Sequence, residues 1–312
     1  TWLLLLLSTI SGVLVLMVFV GWCFKGARLW LLTRGLGHRL AYGTALKNMV
    51  AAEFAGSATP ANAGNSATYV YLLTRHGLPV GQAAAVLTVD TVVDLVFFAT
   101  AVPIAVLLFA FGRGVGHPLG MAALILGLSL VGLVSIGLLI RHYRPLAIWV
   151  GRRLNHGPKQ RRMRYRLARW LVHFRQSVGV LLGMGKARLF LLFLFCVGHW
   201  MLRYGTLPVV LFLLGHNISW GYLFAVQALL MFAGKATFLP GGGGGVEVFY
   251  GMLMGPYLGA TTTAASLLLW RFFNFYWYLI AGAPVFIWAT GSKGARLLAM
   301  RRSDAEDYGG EP

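Results

Sequence analysis

The stretch FLPGGGGGVEVFYG, Phe238 to Gly251, decides how the rest of the chain is read. Five consecutive glycines, Gly241–Gly245, follow a proline inside one of the most apolar parts of the sequence. Glycine costs a helix roughly 0.8–1.0 kcal/mol per residue relative to alanine, so no helix runs comfortably through this point. Glu247 places a carboxylate two residues beyond the run. Irregular backbone at membrane depth survives only where protein buries it or where it lines a wet cavity. The run therefore reads as the tip of a hairpin of two half-helices, the second starting near Val246. Free N–H groups and the dipole at such a start attract anions. A tight buried turn, with glycine serving only close helix packing, is the alternative. No Lys-Ser/Thr follows the glycines, which excludes a P-loop.

Outward from this stretch the chain stays apolar. Its 312 residues are 58% hydrophobic and only 11% charged, with a mean hydropathy of +0.72, a composition foreign to soluble globular domains. Apolar runs recur at Trp2–Phe24, Ala83–Phe111, Leu119–Ile140, Leu189–Leu214 and Thr261–Ala289. Each is near the roughly 20 residues that cross a bilayer as a helix. Trp2–Phe24 has no basic segment before it and no small-residue cleavage site, so it reads as a span and not as a signal peptide. The expected fold is an all-α polytopic membrane protein, with about five full spans and two broken-helix hairpins arranged as an inverted repeat.

The net charge is +19, and thirteen of the 27 Lys and Arg lie between Arg141 and Arg188. Others fall in Lys25–Lys47 and in the tail from Lys293 to Arg302. Lys- and Arg-rich loops stay cytoplasmic. The charge thus reads as a topology signal with attraction to anionic headgroups, and not as a nucleic-acid surface. With these regions inside, the chain divides into four parts. Residues 1–118 form a first repeat of span, cytoplasm-entering hairpin (Tyr42–Gly77) and span. Residues 119–188 form a linking span and a basic segment in which Met163, Leu167, Trp170, Phe174, Val178 and Leu181 recur at helical spacing. Residues 189–290 form a second repeat, with an outside-entering hairpin (Trp220–Gly255). Residues 291–312 are a cytoplasmic tail. A bacterial cytoplasmic (inner) membrane is the expected location. Cys23 and Cys196 sit in apolar runs without metal-ligand spacing and read as small hydrophobes.

Pro60–Asp94 can be laid on Pro240–Asn274 with a constant offset of 180. Pro60 then meets Pro240, Gly64 meets Gly244, Ala84 and Ala85 meet Ala264 and Ala265, Thr91 meets Arg271, and Asp94 meets Asn274. Broken helices at corresponding places in two inverted halves point to a transporter's midplane site.

Of the eight acidic residues, four are in the C-terminal tail; the others are Glu53, Asp90, Asp94 and Glu247, all in the hairpins or the spans after them. Arg203, Lys235 and Arg271 are the basic residues read at membrane depth. Each such charge costs on the order of 2.5–3.5 kcal/mol at a helix centre, so these groups should face each other or a wet cavity. Asp90 and Asp94 share a helix face, as do Arg271 and Asn274. They form either a polar seam between the halves or a lock of buried ion pairs, Asp94 with Arg271 for example. His199 and Arg203 face the same choice between packing and a cavity role. Glu247 is expected to pair with Lys235, Arg203 or Arg271. The aromatic run Trp270, Phe272, Phe273, Phe275, Tyr276, Trp277 and Tyr278 reads as packing.

Leu239–Gly282 resembles the second signature of the lysylphosphatidylglycerol synthase transmembrane, or flippase-like, family: a P-G-G-x-G-x-x-E turn, then a helix carrying an arginine. Pro240, Gly241, Gly242, Gly244, Glu247 and Arg271 fit it. Of the first signature, Pro60, Gly64, Asp90 and Asp94 match, while Asn65 stands where an acid is usual and Thr91 where an arginine is usual. The resemblance implies movement of a polar-headgroup lipid across the cytoplasmic membrane. In the multiple peptide resistance factor branch that lipid is aminoacylated phosphatidylglycerol; other relatives are linked to polyprenyl-phosphate sugar carriers or hopanoid pathways. The sequence is expected to be the membrane domain alone, without an aminoacyl-transferase domain.

The expected function is a lipid flippase working by alternating access at a central charged cavity. The headgroup, phosphate-bearing or isoprenoid-linked, would contact Arg271, Arg203, Lys235, Asn274, Gly241, Gly242, Gly244, Asn62 and Asn65. Asp90, Asp94, Glu247 and Glu53 would balance charge or couple transport. No enzyme activity, catalytic residue, metal or cofactor is expected, and the partners are membrane lipids. An integral-membrane transferase using Asp90 and Asp94, or a scaffold for a lipid-modifying pathway, is the alternative.

Overall fold

The computed structural model describes residues 2–112, 176–237 and 239–291, with side chains left out at 2–10, 106–112, Phe232, Lys235 and Ala236. The expected span Leu119–Ile140, most of the basic segment and the tail lie outside the described residues. Of the amphipathic stripe only Val178 and Leu181 are described; residues 176–182 are helical and Leu181 is fully buried.

The first half contains α1 (Trp2–Gly35), α2 (Tyr42–Ser57), α3 (Ala63–Arg75) and α4 (Val80–Gly112). The second contains α5 (Lys186–Leu213), α6 (Trp220–Ala236), α7 (Gly245–Leu258), α8 (Ala260–Arg271) and α9 (Trp277–Thr290), the last two joined by a π-helical turn at Phe272–Tyr276. Among the described residues, four helical stretches are long and apolar enough to cross a membrane: Ser11–Gly35, Val80–Ala105, Lys186–Leu213 and Ala260–Thr290. The protein is an all-α polytopic membrane protein. One boundary differs from the sequence reading: the first span does not end at Phe24, and its helix carries Lys25 and Arg28 inward to Gly35. The apolar run Leu29–Leu32 beyond these two cations keeps the helix buried, with Leu29 and Leu32 almost inaccessible.

An offset of 180 carries α1 onto α5, α2 onto α6, α3 onto α7, and α4 onto the α8–α9 rod. Packing obeys the same rule, since α2 docks on α9 as α6 docks on α4. The counterparts α1 and α5 lie against each other and run antiparallel. Gly35 sits beside Met184, Phe24 meets Phe195 at 6.0 Å, His199 Nδ1 lies 2.9 Å from the Gly21 carbonyl, and Gly205 faces Met17. Equivalent spans that run antiparallel are related by a two-fold axis across the helix direction, so the halves are inverted. Gly21, Gly198 and Gly205 let the two backbones approach, which is how helices associate where lipid supplies no hydrophobic drive.

The two breaks repeat in backbone detail. Ala61 and Asn62 have φ of 50° and 63°, and Gly241 and Gly242 have 62° and 69°. Asn62 N donates to the Thr59 carbonyl and Ala63 N to that of Pro60; Gly242 N and Gly243 N donate likewise to Leu239 and Pro240. Pro60 and Pro240 themselves pair in an antiparallel bridge, which puts the two-fold axis between the hairpin tips. Left-handed backbone costs a non-glycine residue about 1–2 kcal/mol, of which glycine's extra unfolded entropy takes back roughly 0.5–1. Ala61→Gly is therefore expected to stabilise the protein by about 0.5–1 kcal/mol, read as a raised thermal midpoint in detergent. An unchanged or lowered midpoint would contradict the strain.

Candidate functional site

The hairpin tips meet over a cavity of about 420 Å³. Its wall takes Lys25 from α1, Glu53 from α2, Asp90 and Asp94 from α4, Trp200 and Arg203 from α5, and Arg271, Asn274 and Phe275 from the α8–α9 rod. Asp90 and Asp94 lie near the middle of Val80–Ala105, Arg203 near the middle of Lys186–Leu213, and Arg271 and Asn274 near the middle of Ala260–Thr290. The cavity thus sits at mid-span depth, where unpaired charge is most costly.

The charges are held in three groups. In the first, Arg28 is fully buried and serves two carboxylates: Asp90 Oδ1 and Asp94 Oδ1 each lie 2.6 Å from its guanidinium nitrogens. It also donates to the Asp90 carbonyl at 2.8 Å. Asp94 accepts a further hydrogen bond from Trp200 Nε1 at 2.8 Å. In the second, Glu53 pairs with Lys25 and, at 3.3 Å, with Arg203. Asn65 Nδ2 donates to the same carboxylate at 3.4 Å, and the Arg203 guanidinium stacks 4.7 Å above the Tyr278 ring. In the third, Arg271 pairs with Glu247 at 2.6 Å and donates to the Gly241 carbonyl at 2.6 Å.

Local sequence explains why these groups converge. Lys25 and Arg28, three residues apart, share the face of α1 that turns to α2 and α4. The four-residue step from Asp90 to Asp94 stacks both acids beneath Arg28. The π-helical turn inserts its extra residue where Arg271, Asn274 and Phe275 reach the cavity, a common use of such turns at functional sites. Asn274 Nδ2 there donates to Thr206 Oγ1 at 2.6 Å. In the glycine run, α7 starts at Gly245, one residue before the expected Val246. A side chain at Gly241 would overlap the Phe275 ring, and one at Gly242 would overlap the backbone of Gly234.

Several sequence expectations are placed by this geometry. Arg271, Arg203, Asn274, Gly241, Gly242, Asn62, Asn65, Asp90, Asp94 and Glu53 all line the cavity. Gly244 and Glu247 are not on its lining: Gly244 caps α7 with φ 79°, and Glu247, more exposed than Arg271, reaches the site only through its ion pair with that residue. The Lys235 side chain is outside the described residues. Asp94 does not pair with Arg271; Arg28 reaches it first, and Arg271 is occupied by Glu247. His199 packs against the Gly21 carbonyl in the α1–α5 seam. Of the aromatic run, Trp270 and Phe275 line the cavity, while Trp270 Nε1 donates to Gln227 Oε1 at 3.1 Å.

Lys25, Arg28, Trp200 and Tyr69 escaped the sequence reading. Two cations after an apolar run look like a cytoplasmic flank, and the apolar continuation Leu29–Leu32 was the signal against it. Nothing in the spacing of Trp200 or Tyr69 sets them apart from packing aromatics.

Inverted halves, two broken hairpins meeting tip to tip and a charge-lined cavity at mid-span define a polytopic membrane protein organised around an intramembrane polar site. Residues 2–282 match the family described as "Lysylphosphatidylglycerol synthase TM region", and the chain belongs to it. It is also similar to a "UPF0104 membrane protein" of Archaeoglobus fulgidus, 24% identical over 268 residues that cover 84% of this chain and 81% of that protein. The family's description points to a lipid-related membrane function.

Proposed function

We propose that this protein moves a lipid with a polar headgroup, phosphate-bearing or isoprenoid-linked, across the cytoplasmic membrane. The observation that carries the proposal is the two-sided character of the cavity. One wall is charged, while its lining also includes the exposed apolar side chains Leu95 (40% exposed) and Leu239 (53%). A headgroup enters the charged part while its chains leave past Leu95 and Leu239 into the bilayer. The two-fold axis through the hairpin tips supports alternating access, because exchanging the arrangements of the inverted halves exchanges the open side. In this reading residues 1–118 and 189–290 are the two working repeats. The first hairpin enters from the cytoplasm and the second from outside, as the positive-inside rule orders them. Lipids are the partners, and the basic segment attracts anionic headgroups on the cytoplasmic face.

The test is lipid translocation in proteoliposomes. Wild-type protein is expected to accelerate movement of a fluorescent phospholipid, and Arg271→Ala to slow it by about tenfold, the loss of one charge-assisted contact. Wild-type protein that moves no candidate lipid, or an Arg271→Ala variant as fast as wild type, would sink the proposal.

A further inference from the structure

We infer that the cavity selects a zwitterionic headgroup, a phosphate joined by a short link to a primary ammonium, over headgroups of net charge. The inference rests on the lipid-binding reading above and names the substrate class within it.

It begins with the charge carried by each group. Arg28 with Asp90 and Asp94 sums to one negative charge. Glu53 with Lys25 and Arg203 sums to one positive charge. Arg271 with Glu247 sums to zero. The cavity wall therefore presents one surplus of each sign among the described side chains. In each triad the surplus falls on the member that the cavity reaches most easily. Asp94 is 22% exposed against 8% for Asp90 and none for Arg28. Arg203 is 20% exposed against 11% for Lys25 and 9% for Glu53.

These two accessible charges both touch one indole. Trp200 Nε1 donates to Asp94 at 2.8 Å, and the Arg203 guanidinium lies 5.8 Å from the Trp200 ring centre. An ammonium beside Asp94 and a phosphate beside Arg203 would neutralise both surpluses at once. Tyr69 also lines the cavity, and its buried hydroxyl has no hydrogen-bond partner among the described residues. Such a group waits for a ligand donor or acceptor. An anionic headgroup would satisfy Arg203 but offer no cation to Asp94, leaving its surplus charge without compensation. The exposed apolar Leu95 and Leu239 on the cavity lining favour a lipid as the source of the zwitterion.

The experiment measures binding to the purified full chain by native mass spectrometry, with phosphatidylethanolamine and phosphatidylglycerol of identical acyl chains. The zwitterionic lipid is expected to bind about tenfold more tightly, the worth of one charge-assisted contact. Asp94→Asn should erase or reverse that order by leaving a net positive site, and Arg203→Gln should weaken both lipids. A structural role for Asp94 would instead lower both affinities by one factor. That result, or phosphatidylglycerol binding wild-type protein as tightly as phosphatidylethanolamine, overturns the inference. Soluble glycerophosphoethanolamine supplies a third arm. Competition as strong as the lipid's supports the same chemistry with a soluble source; weak competition supports the lipid. Transport is scored separately. Selective binding without translocation removes the flippase reading and keeps this inference, and equal transport of both lipids with equal binding does the reverse.

Discussion

Arg28→Met is expected to destabilise the protein by about 3–5 kcal/mol, the range for removing one partner of a buried ion pair. The guanidinium is fully buried and holds Asp90 and Asp94 at 2.6 Å each, together with the Asp90 carbonyl at 2.8 Å. Methionine fills much of the space but donates nothing, so two carboxylates at mid-span would be left facing each other. Arg28→Lys keeps the charge and loses the fork that reaches three acceptors, and should fall between wild type and Arg28→Met. The decisive construction is the triple variant Arg28→Met, Asp90→Asn, Asp94→Asn. Removing the stranded charges should restore part of the thermal midpoint, because neutral replacement of a whole buried network is tolerated far better than its breakage. Midpoints of the purified variants in one detergent supply the measurement. A single variant within about 1 kcal/mol of wild type would show that Arg28 is not the keystone of the acid pair.

The second large effect is expected at Gly242→Ala, a loss of about 2–5 kcal/mol from left-handed backbone and overpacking together. Gly242 has φ 69° and is buried against Gly234, where a methyl group would overlap the opposing backbone and not a movable side chain. The hairpin arms would have to part. The Gly241 carbonyl next to it would then leave Arg271, which it meets at 2.6 Å. Gly243→Ala is the internal control. Its nearest atom would be the Pro240 carbonyl oxygen at 3.8 Å, and its φ lies outside the left-handed region. It should change the midpoint by less than about 0.5 kcal/mol. Equal effects at the two positions would mean that the glycine run acts through flexibility alone and not through the close approach of the turn at Gly242 to Gly234 of α6.

Much of the architecture was legible because it is written locally. The Pro-Gly break announces itself by residue type, since few residues other than glycine accept the left-handed pair at 241 and 242. The first break was harder to see, because Ala61 and Asn62 take the same backbone shape without glycine. The offset of 180 between Pro60 and Pro240 nevertheless located both. The acids Glu53, Asp90 and Asp94 could be placed on the cavity from the sequence because so few acids occur in apolar surroundings. Lys25 and Arg28 could not. Adjacent to an apolar run, a cation at the membrane surface and a cation buried in a continuing helix have the same sequence pattern, and only the docking of α2 and α4 on α1 separates them.

The sequence by itself determined four of the spans, the two breaks, their repetition and the intramembrane acids. Each of these follows from short-range properties: helix length, backbone preference and the cost of charge in hydrocarbon. Only the tertiary structure decided which charge meets which. Arg28 rather than Arg271 takes Asp94, Arg271 takes Glu247, and Arg203 shares Glu53 with Lys25. Those choices depend on how far α1 runs before it ends and on the antiparallel seating of α1 against α5. Both are settled by packing across the two-fold axis, between residues far apart in the chain.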